Sequence, residues 1–153
     1  MEDQKKKKLY IVIILVSTII IGACSGLLIA QCISKSSFNH AVDKLREAVI
    51  DGFAGRNKIE INGHTINVRI WSDGMGAASK AAAEGDKTYL EGWNITRDKM
   101  QVTATSLYNM FLLVDDAVIY FRFVNDQNID RDLLVFKNKT LIYDVVAAYQ
   151  NGG

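Results

Sequence analysis

Residues 58–71, Lys-Ile-Glu-Ile-Asn-Gly-His-Thr-Ile-Asn-Val-Arg-Ile-Trp, decide the fold class. Apolar and polar side chains alternate on both sides of Asn62-Gly63. A period of two sends successive side chains to opposite faces of a strand. Asn-Gly between two such runs is a strong hairpin signal, because the tight turn there needs positive φ at its centre. The stretch predicts a β-hairpin with Ile66, Val68 and Ile70 on one buried face. Such a face needs a second layer to cover it.

Upstream lies a candidate for that layer. In residues 34–56, Phe38, Val42, Leu45 and Val49 follow at spacings of four, three and four, a helical stripe. Lys44, Arg46, Glu47 and Asp51 fall off the stripe. Ser36, Ser37 or Asn39 can cap the start, and Gly52 and Gly55 close the end. The apolar repeat lasts only about two heptads, which favours packing on a sheet over a coiled coil.

Further upstream, residues 9–33 (LYIVIILVSTIIIGACSGLLIAQCI) carry no charge. As a helix the run spans about 37 Å, against about 30 Å of hydrocarbon in a bilayer. It lacks the polar stripe of a soluble helix and reads as a transmembrane segment that contacts membrane lipid. Lys5 to Lys8 precede it, whereas Lys35 alone follows closely, so the N-terminus is expected in the cytoplasm and residues 34–153 outside it. Gly22 and Gly26 have the G-x-x-x-G spacing that lets two spanning helices approach closely. Ile21-Gly22-Ala23-Cys24 is similar to a lipobox, so Cys24 is a candidate for lipidation after cleavage. The apolar residues that continue past Cys24 favour an uncleaved anchor. Cys32 falls at the outer end of the run, where an intermolecular disulfide can form.

Downstream, Ser72 to Gly76 reads as a turn and residues 77–84 (AASKAAAE) as a short helix in an otherwise irregular stretch to residue 94. Strands are expected at residues 100–105, 109–114, 117–124, 133–136 and 141–147, the last with a helix as its alternative. In the 117–124 run, Ile119, Phe121 and Phe123 share one face, and Tyr120 and Arg122 the other. Short connections between these runs imply an antiparallel meander. The expected architecture is α+β: an N-terminal transmembrane helix continuing toward an amphipathic helix, packed on an antiparallel β-meander in two layers. Its parts are a basic tail (1–8), the span (9–33), a stalk helix (34–56), a sheet domain (57–150) and a short tail (151–153).

Composition limits the chemistry. A chain of 153 residues allows one compact domain, and a net charge of +1 argues against nucleic acid as a partner. Two cysteines and two histidines leave little for a thiolate or imidazole metal site. Gly74, Gly76 and Lys80 only faintly suggest a phosphate loop, since no glycine directly precedes the lysine. Asp115-Asp116 reads as a turn, because adjacent strand residues face apart and make a poor acid–base pair. No G-x-S-x-G occurs, and no cysteine lies outside the apolar run, so the protein is expected to be non-catalytic. Asp126, Asn128, Asp130 and Asp132 place oxygen ligands at alternate positions, as calcium loops do. Arg131 and Lys137 stand where an EF-hand needs glycine and glutamate, so any calcium bound there would be held weakly. Calcium is thus the one cofactor weakly suggested. Asn94-Ile95-Thr96 and Asn138-Lys139-Thr140 are glycosylation sequons in the part expected outside the cytoplasm. Trp71, Trp93 and Tyr108 are the aromatics around which a ligand pocket could form.

A hydrophobic helix leading into an amphipathic helix and then a sheet resembles the layout of pilin-type subunits, and secretion-system scaffold domains share it. The resemblance implies a non-catalytic subunit of a cell-envelope complex or filament, with other subunits or further copies of itself as partners. The small residue and the nearby glutamate that frame pilin processing are missing. An anchored ligand-binding or sensing domain is the alternative.

Overall fold

The computed structural model describes residues 38–152. The basic tail, the 9–33 run with Gly22, Cys24, Gly26 and Cys32, and residues 34–37 lie outside the described residues. Among the described residues, no helix is long and apolar enough to cross a membrane.

The elements run α1 (Phe38–Phe53), β1 (Asn57–Asn62), β2 (Thr65–Ile70), α2 (Met75–Ala83), α3 (Lys87–Asn109), β3 (Val118–Asn125), β4 (Asn128–Lys137), β5 (Thr140–Asp144) and α4 (Val145–Gln150). The five strands form one sheet in the order β1-β2-β3-β4-β5. The expected hairpin forms, with Asn62 paired to Thr65, so its two turn residues are Gly63, at φ 58°, and His64.

The class is α+β, but the sheet is mixed rather than an antiparallel meander. β2 pairs in parallel with β3, and the other three pairings are antiparallel. The cause is a helix where the period of two predicts a strand. Residues 100–105, expected as a strand, belong to α3, and residues 109–114 form its end and the turns that follow. Two helices between β2 and β3 return the chain to the starting end of the sheet, so β3 enters in the same direction as β2. Threonines and Val102 gave this stretch its strand character. In α3 the threonine hydroxyls bond back along the helix: Thr96 Oγ1 donates to Gly92 O (2.9 Å), Thr103 to Lys99 O (3.1 Å) and Thr105 to Gln101 O (2.8 Å). Asp86 caps the start, accepting from the N–H groups of Thr88 and Tyr89. The ambiguous 141–147 run divides between strand and helix at Asp144, which ends β5 and caps α4.

Register gathers the apolar residues on one face. Ile59 lies opposite Val68, Val68 beside Phe121, Phe121 opposite Phe136, and Phe136 opposite Leu141. Leu45 and Val49 of α1, Met75 and Ala82 of α2, Trp93, Met100 and Leu107 of α3, and Val146 of α4 join them in one contiguous core. All four helices therefore cover the same face. Trp93 is buried, and its Nε1 donates to Asp144 Oδ1 (3.0 Å). The same oxygen accepts from the N–H groups of Val146 and Ala147, so one buried carboxylate joins α3, β5 and α4.

The two ends of the domain differ in chemistry. At one end the Phe38 ring stacks on His64 in the hairpin turn (4.8 Å between centroids) and meets Phe111 edge-on (6.0 Å). There Val118 N donates to His64 O and Asn138 N to Ile119 O. At the other end Trp71 N donates to Arg56 O, and Arg56 pairs with Asp73.

Candidate functional site

With the helices on one face, no described element covers the opposite face of the sheet. The pairings set two cross-strand rows on it. One row runs Glu60, Asn67, Tyr120, Lys137, Thr140, and the next Lys58, Arg69, Arg122, Val135, Tyr143. Tyr120 is central: the Arg122 guanidinium carbon lies 5.3 Å and the Lys137 Nζ 6.0 Å from its ring centroid. Arg69 and Arg122 are direct neighbours across β2 and β3. Their repulsion is offset by acids, Asp130 (3.3 Å) and Glu60 (3.9 Å) for Arg69 and Asp132 (2.5 Å) for Arg122. The hydrogen bond and the charge of Lys58 hold the Glu60 carboxyl below its ordinary pKa. Val135 is buried yet lies outside the main core. Its flanking partners Arg122 and Tyr143 explain this, since a long stem and a ring can shield a small apolar residue. The guanidinium Nε of Arg122 is buried without a partner. The face is thus a lattice of alternating charges around the Tyr120 ring, with Tyr143 in the neighbouring row.

The four oxygen ligands suggested for calcium do not converge. Asp126 turns toward α2, Asn128 Oδ1 accepts from Asp130 N (3.1 Å), and Asp130 and Asp132 pair with separate arginines. Among the described residues no group of three or more His, Cys, Asp or Glu is placed to hold a metal ion. The run is a hairpin turn followed by a strand, so alternate residues spread along the chain instead of wrapping a centre.

Asp126 has a different task, one invisible in the pattern. Its Oδ2 accepts from Gly74 N and its Oδ1 from Gly76 N, both at 2.9 Å. A carboxylate thereby sits at the start of α2, where free N–H groups and the helix dipole favour negative charge. The glycines of the apparent phosphate loop are already filled by the chain's own anion. Partial burial pushes the Asp126 carboxyl up, and the bonds from Gly76, Gly74 and Gln127 more than reverse this, so its pKa is held below the ordinary value. Gly76 packs closely on Asn125: a Cβ there would lie 2.6 Å from Asn125 Oδ1, so the Asn125 side chain would have to move.

The sequons meet different surroundings. Asn94 is exposed within α3, while its Thr96 is buried and bonded to the helix backbone. Asn138 is half-buried, at φ 57°, and its Oδ1 accepts from Ile119 N (2.9 Å). The aromatic trio also separates. Trp93 is in the core, Trp71 joins the Arg56 end, and Tyr108 lines a shallow depression of about 360 Å³ with Lys137, Asn138, Lys139, Thr140 and Ile142. Asp115 and Asp116 are exposed in a turn, Asp116 with φ 62°.

Alternation along 117–124 was enough to place Tyr120 and Arg122 opposite the core. Their meeting with Arg69 and Lys137 depends on register between distant strands, for which the sequence carries no signal. No protein-family model, curated protein or solved structure matches the chain.

Proposed function

We propose that the protein is a single-pass, membrane-anchored interaction module, a non-catalytic subunit of an envelope complex or filament whose folded domain lies outside the cytoplasm. The observation that carries this reading is the uncovered sheet face, with its charge lattice around Tyr120, on a domain joined by four residues to the uncharged 9–33 run. Salt-bridged rows give selectivity and register between surfaces more than raw affinity. The acids that neutralise the arginines also make the face a poor site for nucleic acid. Residues 9–33 supply the lipid contact, and Gly22, Gly26 and Cys32 offer a route to self-association within the membrane.

The test is site-specific crosslinking in the native membrane. A photo-crosslinking amino acid replaces Asn67 on the uncovered face or, as a control, Lys80 on α2. The reading expects discrete adducts, with self or with one partner, from the Asn67 position only. Adducts from neither position, or equally from both, would remove the face from consideration. Any disulfide-linked dimer should vanish in Cys32→Ser.

A further inference from the structure

Leu113 and Leu112 are the most exposed large apolar side chains among the described residues, at 70% and 61%. They lie in a tight turn after α3, in which Phe111 N donates to Tyr108 O and Val114 N to Phe111 O, both at 2.9 Å. Phe111 points inward and is buried. Leu112 and Leu113, the next two residues, are turned out. Phe111 also meets the ring of Phe38, the first described residue. The described chain therefore begins against this turn. The uncharged run stops at Ile33. Five residue steps separate Ile33 from Phe38, a reach of at most about 18 Å. Ile61, also exposed, flanks the hairpin turn on whose His64 the Phe38 ring stacks.

From this placement we infer that the Leu112–Leu113 turn seats in the bilayer surface beside the anchor, fixing the tilt of the domain on the membrane. The inference rests on residues 9–33 spanning a membrane. Its occupant is the apolar boundary of the lipid, not a charged headgroup. Asp115 and Asp116 follow after Val114 and would oppose an anionic surface, so contact comes from apolar insertion and is insensitive to salt. Two leucines on a turn reach the headgroup–acyl boundary, about 5–10 Å deep, without the helix of a full amphipathic anchor. With both ends of the tether fixed, the uncovered sheet face would be held at a constant angle to the membrane.

The experiment uses the full-length chain in a Cys24→Ser, Cys32→Ser background, reconstituted in phosphatidylcholine vesicles. An environment-sensitive fluorophore is attached to Leu113→Cys, to Gln127→Cys at the opposite end, or to Ile20→Cys within the uncharged run. Lipids carrying a quencher just below the headgroup should quench the Leu113→Cys label at least about threefold more than the Gln127→Cys label, with no change at high salt. Equal quenching at the two positions, while the Ile20→Cys label is quenched by a deep-placed quencher, overturns the seated turn and leaves the anchor standing. A blue-shifted Leu113→Cys label that lipid quenchers do not reach also overturns it, since protein would then cover the turn. An unquenched Ile20→Cys label overturns the anchor and the inference together.

Discussion

The Asp126 end and the Phe38 end of this domain are closed by opposite means. At the Asp126 end, directional polar contacts complete one another: the carboxylate fills the Gly74 and Gly76 N–H groups, Arg56 meets Asp73, and Asn125 Oδ1 accepts from Gln127 N. At the Phe38 end, stacked rings close the core, and the adjoining Leu112–Leu113 turn projects apolar side chains into the surroundings. A surface with its hydrogen bonds satisfied internally is finished. A surface that leaves leucines outside at the point where an uncharged run joins the fold calls for a neighbour. On the proposed reading the difference gives the domain a direction, with the Phe38 end toward the membrane and the Asp126 end away from it.

The contrast can be broken at either end. Phe111→Ala should have the largest effect, about 3–5 kcal/mol of lost stability in urea unfolding of the full-length protein, because it opens a cavity beneath the Phe38 ring. A loss below about 1 kcal/mol would mean that the rings do not close that end. At the opposite end, Gly76→Ala should cost about 1–2 kcal/mol, since the Asn125 amide must swing away from the new methyl group and give up the bond it accepts from Gln127 N. Asp126→Asn should cost about 1–2 kcal/mol near neutral pH, with one acceptor oxygen and the negative charge lost from the start of α2.

Asp126 also sets an acid response. Its pKa is depressed in the fold, so the unfolded chain takes up its proton at a higher pH than the folded one. The stabilisation from this group is complete above the unfolded value, near 3.8, and fades as pH falls through the lower folded value. Unfolding midpoints measured from pH 6 down to about 2 should therefore fall less steeply for Asp126→Asn than for the parent. Identical slopes would show that the carboxylate is not held as described. The smallest effect on folding belongs to Leu112→Ser with Leu113→Ser, within about 0.5 kcal/mol, because neither side chain is packed in the fold. Loss of a full kilocalorie or more would make the turn part of the core and dissolve the contrast.

Legibility followed the length scale of each interaction. The hairpin at Asn62-Gly63, the α1 stripe and the apolar face of β3 depend on neighbours a few residues apart, and all three are present. The parallel β2–β3 pairing was hidden because α3 is rich in threonine and valine. Its helical form rests on Asp86 as a cap, on hydroxyls bonded back to the helix, and on a buried face from Trp93 to Leu107. The same limit applies to the site. Asp126 looks like one of a series of ligands until the turn brings it against glycines some fifty residues earlier. Tyr120 stood on the right face, but its cationic neighbours arrive from another strand.

The central claim, an anchored domain facing away from the cytoplasm, is tested most directly by carbonate extraction and protease treatment of spheroplasts carrying the full-length chain. The account predicts that the protein stays in the carbonate-washed membrane and that external protease removes the folded domain, leaving a short protected fragment containing Lys5 to Lys8. Release of the intact chain into the carbonate supernatant, or a domain that resists protease until the membrane is broken, would contradict it.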